Sequence, residues 1–156
     1  MSENLAKSQI QYRWLDPASI VHEDLVKLLQ QFGDLTPEPL SNQVDLDEYA
    51  IKWLCHADIL LAYDGDQIVG IRILYANDQE TKAAHGLLLA VLPSHRNLGI
   101  ARELYQESLV LARERGMTNI NLFTHHANIK AINLFKSLGF VEVGKRKAQI
   151  EMRMDL

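Results

Sequence analysis

The chain has 156 residues, 47% hydrophobic and 23% charged, with a formal net charge of −4. That size and balance suit a single folded domain (1–156) with its own core, and no run of about 18 apolar residues marks a membrane span. One cysteine, Cys55, excludes an intramolecular disulfide. It has no metal-ligand spacing around it, so no metal is expected and Cys55 reads as a small buried hydrophobe.

Residues 1–60 carry 10 acids and 4 bases, whereas residues 61–156 carry 10 acids and 12 bases. No clustered basic face argues for nucleic acid. An acidic N-terminal part favours a cationic or amine-bearing partner, the alternative being solvated acids on two helices. Residues 1–7 lack the apolar core of a targeting segment, so the cytoplasm is the expected location.

In chain order, residues 10–15 alternate as a strand. Asp16 and Pro17 then supply a cap and a first helical position for a helix whose apolar face is Ile20, Val21, Leu25, Leu28, Leu29 and Phe32. Gly33 ends it, and a turn-rich stretch over 36–42 leads to a second helix near 45–54. Residues 59–63 and 68–75 flank Asp64-Gly65-Asp66-Gln67 as a hairpin. A polar loop over 77–82 precedes a strand over 84–92, whose continuous apolar run at 87–92 predicts burial on both faces.

A helix over 99–115 places Ala101, Leu104, Tyr105, Ser108, Leu111 and Ala112 on one side, and Gly116 stops it. A strand over 119–124 and a helix over 128–137 follow, with Gly139 as a left-handed cap. Strands over 140–145 and 149–154 close the chain. The order βααβββαβαββ predicts an α/β (α+β layered) domain built on one mixed sheet.

The junction at residues 93–102 carries the strongest chemical signal. A buried strand ends at Pro93, a polar turn follows, and an amphipathic helix opens at Gly99. Main-chain N–H groups at a helix start have no partner within the helix, and the helix dipole adds partial positive charge there. Such a junction binds phosphate. Gly99 leaves room for a pyrophosphate to approach the backbone, and Ala101 keeps the helix start slim. Arg96 need not use its guanidinium, because the amides of Asn97, Leu98, Gly99, Ile100, Ala101 and Arg102 supply the donors. The alternative is a plain strand-to-helix turn containing a glycine.

Arg96-x-x-Gly99-x-Ala101 resembles the pyrophosphate loop of the GNAT superfamily of N-acetyltransferases. Further on, Asn128-x-x-Ala131-x-x-x-Phe135-x-x-x-Gly139-Phe140 resembles the second signature of that family at matching spacing. The two blocks run from about residue 87 to 140, and the flanking strands and leading helix pair extend the likeness to nearly the whole chain.

The resemblance implies a mostly antiparallel central sheet with splayed middle strands, helices on both faces, and acetyl-coenzyme A as cosubstrate. The strands ending near Val91 and beginning near Leu122 would part, and the pantetheine arm would pair with backbone groups of Leu89, Ala90 and Val91. Asn128 would hydrogen-bond the arm or the loop after Thr124, or act as a helix cap alone. Two departures stand out. Leu98 sits where many relatives carry a base, and Phe135 sits where many carry a tyrosine that protonates the leaving thiolate. Phenylalanine has no proton to give.

An amine acceptor must lose a proton before it attacks a thioester, because its ordinary pKa near 10 leaves little free base at neutral pH. A positioned base helps by roughly a hundredfold or more. The family's strand glutamate is absent from residues 86–92. His85, at the start of that strand and of like parity with Leu87, Leu89 and Val91, is the nearest substitute. His125 and His126 follow the next strand, and each is either a base or a solvated loop histidine. His95 reads as a surface residue or a neighbour of phosphate.

These features predict direct acetyl transfer to a small-molecule amine in a ternary complex. Phe135 and the missing carboxylate raise a rival, a non-catalytic coenzyme sensor. A protein-directed acetyltransferase is the third reading, and it would require an open groove between residues 36–42 and 144–149. The C-terminal strands offer an edge for a homodimer.

Overall fold

Short apolar runs separated by tight turns assemble into a seven-stranded sheet in the computed structural model, which describes residues 9–156. Residues 1–7, read above for a targeting segment, lie outside the described residues. The strands are β1 (Ile10–Trp14), β2 (Asp58–Asp64), β3 (Gln67–Tyr75), β4 (Ala83–Val91), β5 (Asn119–His125), β6 (Val141–Arg146) and β7 (Gln149–Asp155). Their spatial order is β1-β2-β3-β4-β5-β7-β6. Every neighbouring pair is antiparallel except β4 and β5, which run parallel. The mixed, mostly antiparallel sheet is therefore as expected.

Five helices cover it: α1 (His22–Gly33), α2 (Leu40–Gln43), α3 (Leu46–His56), α4 (Ile100–Glu114) and α5 (Ile129–Ser137). On one face Leu25, Leu29 and Phe32 of α1 and Trp53 of α3 pack on Ile59, Ile71, Ile73 and Leu88. On the other face Leu104, Tyr105 and Ala112 of α4 and Phe135 of α5 pack on Leu60, Leu74, Ala84, Ile120 and Met152. Each fully buried leucine or phenylalanine contributes about 1.5–3 kcal/mol, so the sheet is held from both sides. No helix among the described residues is long and apolar enough to cross a membrane.

Several expectations need correction. Asp16 does cap a turn, its Oδ1 accepting from the Ala18 N–H at 3.0 Å, but the turn is a 3-10 turn over Pro17–Ser19. Ile20 is extended, and α1 starts only at His22 with Val21 before it. Two successive β-branched residues favour extended backbone and break the single helix that the apolar spacing suggested. The 36–42 stretch contains the unforeseen α2. Cys55 is exposed on α3 rather than buried. On α4, Ile100 and Leu109 are buried while Ala101 and Leu111 are only partly covered.

Gly33 is the last residue of α1, as expected, and it ends the helix without a positive φ. A Cβ placed there would stand 2.6 Å from the Leu40 Cβ, so glycine is needed for the close approach of α1 and α2. Gly33→Val should destabilise the fold by about 1–3 kcal/mol through overpacking. It should also displace the adjoining loop through Leu35 and Thr36. Urea unfolding midpoints check the first effect, and an unchanged midpoint would disprove the tight contact.

The apolar run of β4 is not sealed on both faces. Leu87, Leu89 and Ala90 are only partly buried. The run is apolar because β4 has α1 and α3 on one side and borders an open cleft along its length.

Candidate active site

The cleft originates in strand pairing. β4 and β5 stay paired from Ala83↔Asn119 to Gly86↔Leu122 and then part. β4 keeps its pairing to β3 as far as Gly70↔Val91, while β5 keeps its pairing to β7 as far as His125↔Gln149. Each strand follows its other neighbour, so a gap opens between them. The resulting cavity is about 530 Å³, of the size that takes a small-molecule cofactor.

Along the open edge, the Leu92 N–H donates to the Val69 carbonyl of β3 at 2.9 Å. Main-chain groups of a strand alternate sides, so those of Leu89 and Val91 turn toward the gap. Arg96 Nε donates to the Val91 carbonyl at 3.2 Å, which agrees with that direction. The guanidinium of Arg96 thus braces the strand end.

Beyond β4 the chain makes a 3-10 turn over Pro93–His95, and His95 Nε2 pairs with Asp64 Oδ2 at 2.8 Å. Asn97 (φ +64°) and Gly99 (φ +80°) then adopt left-handed backbone. Alternation of left-handed and right-handed residues turns successive N–H groups to one side and forms an anion-binding concavity. Among the described residues, none of the N–H groups from Asn97 to Arg102 has a backbone acceptor, and the first helical bond of α4 is Glu103 N–H to Gly99 O at 3.1 Å. Asparagine and glycine are the residues that tolerate this conformation.

Arg96, Asn97, Gly99, Ile100, Ala101 and Arg102 line the cavity with Leu89, Ala90 and Val91. Asn128 and Phe135 line the opposite wall. The Asn128 side chain accepts from the Ala131 N–H at 3.2 Å and caps α5. Phe135 is nearly buried and packs edge-on against Tyr105 and Phe140. Leu98 offers only its main-chain N–H to this turn: its side chain packs beside β1 and α4 and does not line the cavity, because an apolar side chain gains more from burial.

None of the three histidines singled out for proton transfer lines this cavity. His125 accepts the Ala127 N–H on Nδ1 at 3.0 Å and stacks on His126, which is exposed. The long β5–β7 pairing carries both toward the β6–β7 hairpin, with the His126 N–H donating to Ala148 O at 2.8 Å. His85 has the other parity from the one expected. The register jumps from Ile73↔Leu88 to Leu74↔Gly86, so Leu87 is an inserted bulge residue. Leu89 therefore packs toward α4, while His85 shares the opposite face with Tyr75, Leu88 and Ala90. It occupies the last rung but one before the strands part, and its Nδ1 is hydrogen-bonded to Asn121 Oδ1.

Thr36 and Pro37, from the stretch expected to border an acceptor groove, line the cavity together with Leu35, and Lys130 of α5 joins them with no local signal to announce it. Only tertiary packing brings them there. His95, read as a possible phosphate neighbour, lines it as well.

With this geometry in place, comparison with known proteins assigns the family. The profile of the Acetyltransferase (GNAT) family matches residues 25–140, and the chain belongs to that family. It is 30% identical over 116 residues to N-acetyltransferase family 8 member 2 of Rattus norvegicus, covering 72% of this chain and 51% of the relative. It is 29% identical over 123 residues to N-alpha-acetyltransferase 30 of Schizosaccharomyces pombe, covering 76% of each. The crystal structure of PaiA N-acetyltransferase from Thermoplasma acidophilum in complex with coenzyme A shares the fold, with a TM-score of 0.71 at 16% identity over 94% of this chain and 99% of that one. The chain spans about half the length, or less, of the family 8 relatives it matches.

Proposed function

We propose that the protein is an acetyl-coenzyme A-dependent N-acetyltransferase that passes the acetyl group directly to an amine. The observation that carries this reading is the set of unpaired N–H groups over residues 97–102, opening onto a cleft between two parted parallel strands. The residues fit the coenzyme: left-handed Asn97 and Gly99 form a concavity for two linked phosphates. The edge of β4 at Leu89 and Val91 offers main-chain groups to an amide-bearing arm, as an added strand would. The coenzyme bound to the Thermoplasma protein of the same fold supports this assignment.

Such an arm brings a thioester toward the bulge at Leu87. Preorganised main-chain donors in that region would stabilise charge developing on the carbonyl oxygen. The acceptor nitrogen attacks the carbonyl carbon, the C–S bond breaks, and the thiolate leaves. His85, on the face below α1 and α3 and outside the cavity lining, takes the proton from the acceptor amine through a water chain. Phe135 can only pack against the cleft wall, so the thiolate proton comes from solvent. His125 and His126 have no part in this reading.

The acceptor we favour is a small-molecule amine entering beside Leu35, Thr36 and Pro37. A second reading, a polypeptide amine, has its own support. Hairpin residues 144–149 do not line the cavity, and the neighbouring sheet leaves Phe123 (42%), Val141 (60%) and Val143 (51%) exposed. The Schizosaccharomyces relative is by name an N-alpha-acetyltransferase.

A thiol-release screen with acetyl-coenzyme A against pooled small amines and short peptides, followed by mass analysis, tests the function. Free thiol should appear in step with one acetylated product. Coenzyme binding without thiol release across the panel would replace this reading with the sensor. For the base, His85→Ala should lower kcat/KM about a hundredfold. A kcat/KM equal to the parent's would leave water as the base.

A further inference from the structure

We propose that Asn121 is a positioning residue that fixes the tautomer of His85, so that Nδ1 carries the imidazole hydrogen and Nε2 keeps its lone pair. The inference rests on the reading of His85 as the proton acceptor and adds what makes it competent. In the parallel register His85 of β4 stands directly opposite Asn121 of β5, and both are half-buried on the sheet face under α1 and α3. The Asn121 Oδ1 is bonded to His85 Nδ1. A carbonyl oxygen only accepts, so the hydrogen lies on Nδ1. A neutral imidazole has one N–H, which leaves Nε2 bare.

The position in the fold gives this pair its significance. It lies one rung before Gly86↔Leu122, the last contact between β4 and β5, so it sits at the closed end of the cleft. Without a partner on Nδ1, an exposed imidazole favours the tautomer with hydrogen on Nε2, which has no lone pair there to accept a proton. The Leu87 bulge is what places His85 on the same face as Asn121's side chain and away from the α4 core. Other titratable or charged groups lie on the neighbouring elements. Tyr75 lies across the β3–β4 ladder, Arg153 lies opposite Asn121 on β7, and His56 ends α3, its carbonyl bonded by Asn77. Asp78, in the loop before β4, is held below the usual carboxylate range, chiefly by the Thr81 N–H and least by His85. No carboxylate is bonded to the His85 ring among the described residues.

Nitrogen NMR of the imidazoles reads the tautomer directly and needs no turnover. In the parent, the His85 resonances should show hydrogen on Nδ1. Asn121→Leu should move them to the Nε2–H form or to a mixture, lower kcat about tenfold or more, and leave coenzyme affinity unchanged. Asn121→Asp restores an acceptor and adds a negative charge. It should recover the Nδ1–H form and most of the rate lost in Asn121→Leu. In a His85→Ala background, Asn121→Leu should cost no further activity, since both changes then remove one function. A parent spectrum with hydrogen on Nε2, or an Asn121→Leu variant with parental tautomer and rate, overturns the inference. Should His85→Ala retain full activity while Asn121→Leu still switches the tautomer, the proton-acceptor reading fails and the pairing itself stands.

Discussion

Gly99→Glu should abolish coenzyme binding while leaving the fold almost intact. Gly99 has φ +80° at the N-terminus of α4, where any side chain costs about 1–2 kcal/mol. A glutamate there adds negative charge beside the place we assign to two phosphates. At about 4–5 Å and an effective dielectric near 20, like charges repel by about 3–4 kcal/mol, which by itself corresponds to a hundredfold to thousandfold loss of affinity. Gly99→Ala carries the strain without the charge, so its loss should stay near tenfold. Calorimetric titration of coenzyme A into each variant measures the difference, with circular dichroism as the check on folding. Affinity of Gly99→Glu within threefold of the parent would remove the phosphate site from this junction.

Arg72→Met should stabilise the protein at neutral pH by about 1–3 kcal/mol. The Arg72 side chain is 1% exposed, beneath the Gly86 rung, where a Cβ on Gly86 would stand 2.7 Å from its Nη2. Its Nε reaches Ser108 Oγ at 3.4 Å and its guanidinium lies over the Tyr105 ring at 5.4 Å. Nη2 has no hydrogen-bond partner, and no carboxylate pairs with Arg72 among the described residues. Burial pushes the guanidinium down from its ordinary range to about 10, slightly opposed by Tyr105. A buried charge without a counterion costs more than a well-packed apolar side chain of similar length.

The sign of the pH dependence follows from that direction. A base that holds its proton less tightly when folded penalises the folded state at every pH below about 10. The penalty fades as pH rises above about 10 toward the ordinary guanidinium range, because the folded protein releases the proton first. The stability gap between Arg72→Met and the parent should therefore be largest at neutral pH and narrow above pH 10. Urea midpoints of both proteins at pH 7 and pH 10.5 test this together. A variant less stable than the parent at pH 7 would show that the aromatic contact and the Ser108 bond outweigh the charge.

Much of the fold could be read from residues that act locally. Apolar alternation placed β1, the Asp64–Gln67 turn placed the β2–β3 hairpin, and Gly116 and Gly139 marked helix ends with positive φ, all within a few residues of the chain. The left-handed turn at 97–99 belongs with these, because asparagine and glycine are chosen by backbone sterics at their own positions. The Asn128 cap is equally local, made between residues three apart.

What the sequence could not disclose depends on neighbours distant along the chain. Gly33 ends α1 as its local sequence indicated, but its close approach to Leu40 was hidden. The parity of His85 was reversed by one inserted residue, Leu87, and a slip of one residue moves every later side chain to the other face of the sheet. Its bond to Asn121, the buried guanidinium of Arg72, and Lys130 of α5 beside the cleft all join segments brought together by strand pairing and helix packing. Steric preferences of single residues are written in the sequence itself, whereas which face a side chain occupies and what it meets there follow from the register between strands, a property of the assembled sheet.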